Sequence, residues 1–339
     1  MVITYRKKVV TMKTFTLFVC VILIHIISTP SYAESASMLY KELNLLGGYS
    51  DANGFVDEIE MMKNSIGGEY FRRFSNDNGD FLTLDLQTRL TYKPTKNFND
   101  AWDLEIHNAW IEYKLGFGYR LRIGHFDPSF GLEPNSDTHG TILQTLAMKN
   151  IGFKSDWGIG FKGNIGYFDY EASVQNGTGM KLKRGNGNFL LSYRIGNPQS
   201  KDMLYGLSLM YGKILIDDQM HDLMNDDMSV RKRRIGLDMQ IPFRSFLFKG
   251  ELAYGKDNNI DVLGSLGQVS YIFPFHQALI AEAQVQNWLN GFGKDKAYET
   301  MLGFCISYRL TSKITVRADY TSNFNKDDQV FMQFYYFGI

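Results

Sequence analysis

Apolar and polar side chains alternate with period two through most of the chain beyond residue 66. Over 81–92, Leu82, Leu84, Leu86, Leu90 and Tyr92 share one parity, and Thr83, Asp85, Gln87, Arg89 and Thr91 share the other. Over 300–310, Leu302, Phe304, Ile306, Tyr308 and Leu310 oppose Gly303, Cys305, Ser307 and Arg309. Over 313–320, Ile314, Val316, Ala318 and Tyr320 oppose Lys313, Thr315, Arg317 and Asp319. A strand sends successive side chains to opposite faces, so each segment predicts a strand with one apolar and one polar side. Similar alternation recurs in 119–124, 168–175, 189–195, 234–241, 246–255 and 279–286, with no comparable 3.6-residue stripe. Segment 103–113 changes parity midway, from Leu104 and Ile106 to Ala109, Ile111 and Tyr113. One inserted residue, a bulge near Asn108, would reconcile the two halves.

The pattern predicts sixteen strands, near 42–50, 66–75, 81–92, 101–114, 119–126, 157–163, 165–175, 187–195, 203–215, 230–241, 245–255, 263–273, 277–287, 297–309, 313–322 and 329–339. Their connections alternate in length. Gly116–Gly118, Asn164, Pro242–Arg244, Pro274–His276 and Thr311–Ser312 are short, whereas 51–65, 127–156, 176–186, 216–229 and 288–296 are mostly long. Short turns at one end and long loops at the other are a property of transmembrane antiparallel β-barrels. Strands of about ten residues suit a tilted crossing of a bilayer. Tyr92, Tyr113, Tyr119, Trp157, Tyr193, Tyr211, Tyr254, Phe273 and Tyr320 lie near strand ends, where headgroup-level aromatic belts form. A soluble sandwich would also alternate, but it has no use for such belts. The fold class expected is all-β, a sixteen-stranded barrel formed by residues 34–339 as one domain.

Residues 1–33 read as a signal peptide: Arg6, Lys7, Lys8 and Lys13, an apolar run from Phe15 to Ile27, then Ser31-Tyr32-Ala33. The cut is expected after Ala33, and Met12 is an alternative start. The remaining 306 residues carry 32 cationic and 36 anionic side chains, net −4, and one cysteine, Cys305. This removes the apparent neutrality of 36 against 36 in the full chain, argues against a nucleic-acid partner and leaves no disulfide framework. A mean hydropathy of −0.22 excludes a helical membrane bundle but not a barrel.

Two stretches resemble the phosphate-selective porin O/P family of outer-membrane porins. They are Asn108-Ala109-Trp110-Ile111-Glu112-Tyr113-Lys114 and, after a turn, Tyr119-Arg120-Leu121-Arg122-Ile123-Gly124-His125-Phe126. Pro128, Phe130-Gly131-Leu132-Glu133 and the hairpin over 155–178 continue the likeness, which is clearest over 105–180. The resemblance implies a homotrimeric channel in the bacterial outer membrane, with a loop after strand five folded inward to narrow the pore. The strand count independently places the longest connection, 127–156, after strand five. Two features depart from the family. No helical arm precedes the first strand, only Glu34–Lys41. The loop also sets Lys149 and Lys154 against Asp127, Glu133, Asp137 and Asp156, so it is not the cationic constriction that phosphate selectivity needs.

With the polar parity inward, the lumen receives eleven cations, among them Arg89, Arg120, Arg122, Lys162, Arg309 and Arg317, and ten acids, among them Glu112 and Asp319. Placing such charges toward lipid would cost about 2–4 kcal/mol each at the midplane. Arg89, Glu112, Arg120, Arg122, Asp127, Glu133, Lys162, Arg309, Arg317 and Asp319 are the candidate pore-lining or constriction residues. They could form a basic track beside the loop or simply pair across strands to brace the wall. Asp217, Asp218, Asp222, Asp226 and Asp227, followed by Arg231–Arg234, read as a solvated loop near lipopolysaccharide phosphates, since their spacing is not a calcium loop. No catalytic or cofactor motif occurs. HExxH, CxxCH and GxSxG are all missing, and Ser136 and His139 are not the adjacent-strand pair a barrel phospholipase needs.

The expectation is a non-enzymatic porin without cofactor, set in outer-membrane lipid and passing small polar or anionic solutes with weak selectivity. The alternative is a sheath barrel enclosing a partner such as a multihaem cytochrome.

Overall fold

Sixteen antiparallel strands close into a barrel in the computed structural model, which describes residues 35–59, 62–77, 79–93, 101–135, 141–180, 187–198, 201–215, 229–292, 296–324 and 327–339. In chain order they are β1 (Ser35–Ser50), β2 (Met62–Asn76), β3 (Gly79–Tyr92), β4 (Trp102–Gly116), β5 (Tyr119–Phe126), β6 (Asp156–Ile165), β7 (Phe168–Gln175), β8 (Phe189–Gly196), β9 (Leu204–Leu215), β10 (Ser229–Phe243), β11 (Phe246–Asp257), β12 (Ile260–Ile272), β13 (Leu279–Asn290), β14 (Ala297–Arg309), β15 (Ile314–Asn323) and β16 (Asp328–Gly338). Each pairs with its chain neighbours. β1 also pairs with β16, from Lys41↔Gly338 to Ser50↔Gln329, so the main sheet has no free edge. Two ladder fragments, Gly54–Val56 and Glu58–Ile59, lie inside the β1–β2 connection. The segments read as signal peptide and as the aspartate-rich loop, together with Ser136, Asp137 and His139, fall outside the described residues.

The side-chain distribution is that of a soluble protein turned inside out. Leu104, Ile159, Val174, Leu237, Ile306 and Met332 are exposed on the outer face, Ile306 at 58%. Ser173, Asp238, Ser307 and Gln333, next to four of them along the strands, are buried on the inner face. Such an apolar outer belt needs a lipid surround, and a closed barrel is the one sheet architecture that leaves no unpaired backbone there.

The register explains the parity change in β4. Gln87 faces Asn108 and Thr88 faces Ile106, so His107 is the extra residue and its bulge swaps the faces. Other details correct the sequence reading. The turn predicted at Asn164 lies at Gly166–Tyr167, and Asn164 stays in β6 opposite Asp169. β11 and β12 are joined by a two-residue turn, Asn258–Asn259, rather than the longer loop between 255 and 263. Asn258 has φ 53°, a left-handed conformation that asparagine tolerates better than most residues. β1 begins at Ser35, seven residues before its predicted start.

Gly124 shows how closely β5 is built. Its φ is +135°, and a Cβ there would lie 2.1 Å from the Ala109 carbonyl oxygen. Gly124→Ala is therefore expected to lower the yield of folded, heat-modifiable barrel on refolding. A full yield would show that β4 and β5 can separate without loss.

Candidate functional site: the lumen and its loop

The connection after β5 is long because it turns into the barrel rather than away from it. Its backbone donors and acceptors meet side chains on the polar inner wall. Ser129 N–H donates to Ser192 Oγ (2.9 Å) and Gly131 N–H to Ser208 Oγ (3.1 Å). Leu132 N–H donates to Glu251 (3.0 Å), whose other oxygen accepts from Asn150 Nδ2 (2.8 Å). Further on, Thr141 donates to Glu282 (2.9 Å), and Gln284 and Gln286 both donate to the Gln144 carbonyl (3.1 and 2.8 Å). Lys232 Nζ donates to the Ile151 carbonyl at 2.9 Å, at the end of a single helical turn, α1 (Ala147–Asn150). Lys149 pairs with Glu299. These partners run from β8 to β14, so the loop is spread along one side of the wall.

Apolar pads secure the same contact. Phe130, Ile151 and Phe153 bury against Leu190, Met210, Ile214 and Ala253, while Ile142 and Leu143 bury against Leu46, Cys305 and Phe331. The alternation rule treats the inner parity as polar and so passes over these pads. Their signal is a local failure of alternation, as in Leu190-Leu191 and Ile214-Leu215, where both parities are apolar.

Beside the pad on Leu46 and Phe331, the loop faces the polar inner side of β1, β3, β4 and β16. Between them is a gap of about 30 Å³, room for one or two waters, lined by Glu42, Arg89, His107, Glu133, Lys154 and Gln333, among others. Arg89 grips Glu42 with two parallel bonds, Nη2–Oε1 at 2.7 Å and Nε–Oε2 at 2.9 Å, and lies 3.0 Å from His107 Nε2. Tyr335 also donates to Glu42 (3.1 Å), and Gln333 bridges Arg317 (2.7 Å) to Asn44 (2.8 Å). Glu133 links the two limbs of the loop by accepting from Thr145 and lying 3.6 Å from Lys154. Burial holds the Glu133 carboxyl above the ordinary carboxylate range, against the pull of Lys154.

The ten candidates therefore divide. Glu133, Arg317 and Asp319 are buried and Arg89 is partly so, with Arg89 and Glu133 lining the gap itself. Asp127 accepts from Ser155 (2.6 Å) and ties the two ends of the loop together. Arg122 and Glu112 are cross-strand partners joined at 2.7 and 2.9 Å, with Arg122 stacked 4.1 Å from the centre of Trp110. Lys162 and Glu171 are likewise cross-strand partners, at 2.9 Å. Arg120 is half exposed and 3.6 Å from Glu112. Arg309 is exposed at the last position of β14, beside a short turn and away from the loop. Wall-bracing thus describes Arg122 and Lys162 better than a basic track does. Sequence reasoning missed Glu42 and Lys63. Lys63, which pairs with Glu105, lies ahead of the predicted start of its strand. Glu42 stood at the first predicted residue of its own strand, where alternation has no preceding position to set its face.

A closed sixteen-stranded barrel with an inward loop latched to its wall is the architecture of outer-membrane porins. No protein-family model matches the chain, and no curated protein matches it in sequence. Solved structures do. An in-vitro folded, trimeric OmpT, an outer membrane protein of Vibrio cholerae, superposes with a TM-score of 0.66 at 11% identity, covering 90% of this chain and 99% of that one. The anion-selective porin from Comamonas acidovorans gives 0.62 at 11% identity, with 90% and 99% covered. The outer membrane channel DcaP of Acinetobacter baumannii gives 0.59 at 12% identity, with 91% and 99% covered. At these identities the likeness establishes the fold.

Proposed function

We propose that the protein is an outer-membrane porin: a passive, non-enzymatic channel for small polar or ionic solutes, with its short turns facing the periplasm. The observation that carries this reading is the loop. It is fastened by main-chain and apolar contacts to the inner wall from β8 round to β1 and leaves a small polar gap toward Arg89 on β3 and His107 on β4. Passage is by diffusion through the lumen beside the loop, since the gap itself has room for only one or two waters. The lumenal cations are largely taken up in ion pairs: Arg89 with Glu42, Arg122 with Glu112, Lys162 with Glu171, Arg194 with Asp238 and Arg234 with Asp257. Paired charges leave little net field along the pore, so selectivity is weak. The likeness of 105–180 to the phosphate-selective porins is a likeness of β4, β5, the loop entrance and the β6–β7 hairpin, and phosphate is not proposed as the solute. A homotrimer follows from that resemblance and is supported by the trimeric OmpT. The loop also disfavours the sheath reading, because it occupies space that an enclosed partner would need.

Purified protein in a planar bilayer is expected to give discrete conductance steps, with a reversal potential near zero in a potassium chloride gradient. A membrane that stays silent at every protein concentration would overturn the channel reading.

A further inference from the structure

The long-loop rim carries a cationic patch on its outer, lipid-facing side. Lys213 on β9 shares the parity of the exposed Leu209 and Tyr211. Arg231 and Arg233 on β10 share that of the exposed Ile235 and Leu237, and Lys256 on β11 shares that of Leu252 and Tyr254. The register sets Lys213 directly opposite Arg231, and Arg233 directly opposite Lys256. Like charges directly opposite each other destabilise a sheet unless an anion lies between them. The inward members of the same run have acceptors: Lys232 has the Ile151 carbonyl and Arg234 has the Asp257 carboxylate. On the outer side, Asp261 takes Lys256 at 3.2 Å, one carboxylate beside four cations among the described residues. The matching outward positions near this rim on other strands hold Tyr49, Leu90, Trp102, Leu289, Tyr298 and Val330.

We infer that Lys213, Arg231, Arg233 and Lys256 form a binding site for the phosphorylated headgroup of a lipid in the leaflet around the long-loop rim. The inference rests on the outer-membrane reading above. Tyr211 and Tyr254, two residues closer to the barrel's waist, mark headgroup depth, and the patch stands just beyond it. A phosphate there would lie between the two like-charged pairs and relieve both. The aspartates of 217–227 are a competing source of negative charge, and the test separates them from a lipid.

Full-length protein, refolded and freed of native lipid in a nonionic detergent, would be titrated with diphosphoryl lipid A, with dephosphorylated lipid A, and with inorganic phosphate as competitor. Each cation near an anionic lipid surface contributes about fivefold in affinity, so Arg231→Gln/Arg233→Gln is expected to bind diphosphoryl lipid A roughly thirtyfold more weakly. Arg231→Lys/Arg233→Lys should keep most of the affinity, and the dephosphorylated lipid should bind as weakly as the double variant. Equal binding by the Gln variant, equal binding of the dephosphorylated lipid, or full displacement by inorganic phosphate at the lipid's own concentration would each overturn the proposal. If the Gln variant fails to migrate as a heat-modifiable barrel, Lys213→Gln/Lys256→Gln provides the same comparison. Bilayer conductance of each preparation tests the channel reading separately, because these residues lie outside the lumen.

Discussion

A barrel carrying Glu251→Ala is expected to conduct more current per open channel than the parent and to fluctuate between conductance levels. Glu251 is 4% exposed, and its two oxygens hold both limbs of the loop, through the Leu132 amide and the Asn150 side chain. A hydrogen bond contributes about 0.5–1.5 kcal/mol net, and removing one partner leaves the other buried and unsatisfied at a cost of about 1–3 kcal/mol. The loop then keeps its serine contacts and apolar pads but loses its central fastening, so it spends time away from the wall. Glu251→Gln supplies the discriminating control. Its carbonyl oxygen can still accept from Leu132. Its amide can donate to Asn150 Oδ1, which has no hydrogen-bond partner in its buried position, once the Asn150 amide turns over. Parental conductance in the Gln variant with noise in the Ala variant would identify the latch. Quiet, parental traces in both would show that the pads alone hold the loop.

The second large effect is expected from Arg89→Ala, as a shift of the reversal potential toward cations together with a lower unfolding temperature. Arg89 contributes a cation to the gap and is the fork-shaped partner of Glu42, whose side chain is 1% exposed. Removing one member of a buried pair leaves an uncompensated charge, at about 3–5 kcal/mol in dry surroundings and less where water reaches it. The gap then carries the Glu42 carboxylate, with Tyr335 and Gln87 among its neutral donors. Arg89→Lys restores the charge but not the two parallel bonds, so selectivity should recover further than stability. Arg309→Ala, at the short-turn rim, should move neither quantity. An unchanged reversal potential in Arg89→Ala would remove Arg89 from the permeation path.

The contrast between Arg89 and Arg309 shows what alternation can and cannot reveal. Parity put both on the inner face, correctly, because lipid on one side and water on the other enforce a two-residue period at membrane depth. Parity says nothing about height along a strand, and height decides whether a charge meets the loop. The period is enforced only where one face meets hydrocarbon. At the rims both faces meet water or headgroups, and strand ends lose their signature there. The first seven residues of β1, the Lys63 end of β2 and the Asn258–Asn259 turn were misread for that reason. The bulge at His107 was legible because it lies deep in the barrel, where a parity change has no other cheap explanation. The loop's path was not legible. Its docking pads are written as departures from alternation, and a single sequence does not distinguish a pad from an imperfect strand.

The seam between β1 and β16 bears on how the barrel is made. The residues that close it, from Lys41↔Gly338 to Ser50↔Gln329, are separated by nearly the whole chain. Each hairpin can form from neighbours, but the seam must bear the loop-closure entropy of everything in between, and topologies dominated by distant contacts fold slowly. Until the last strand arrives, β1 and the growing sheet present two open edges, each a template for pairing with another chain. Closure is thus the final step as well as the protective one. A chain shortened by its last strand would lose its route to a monomeric barrel, and its two raw edges would commit it to aggregation.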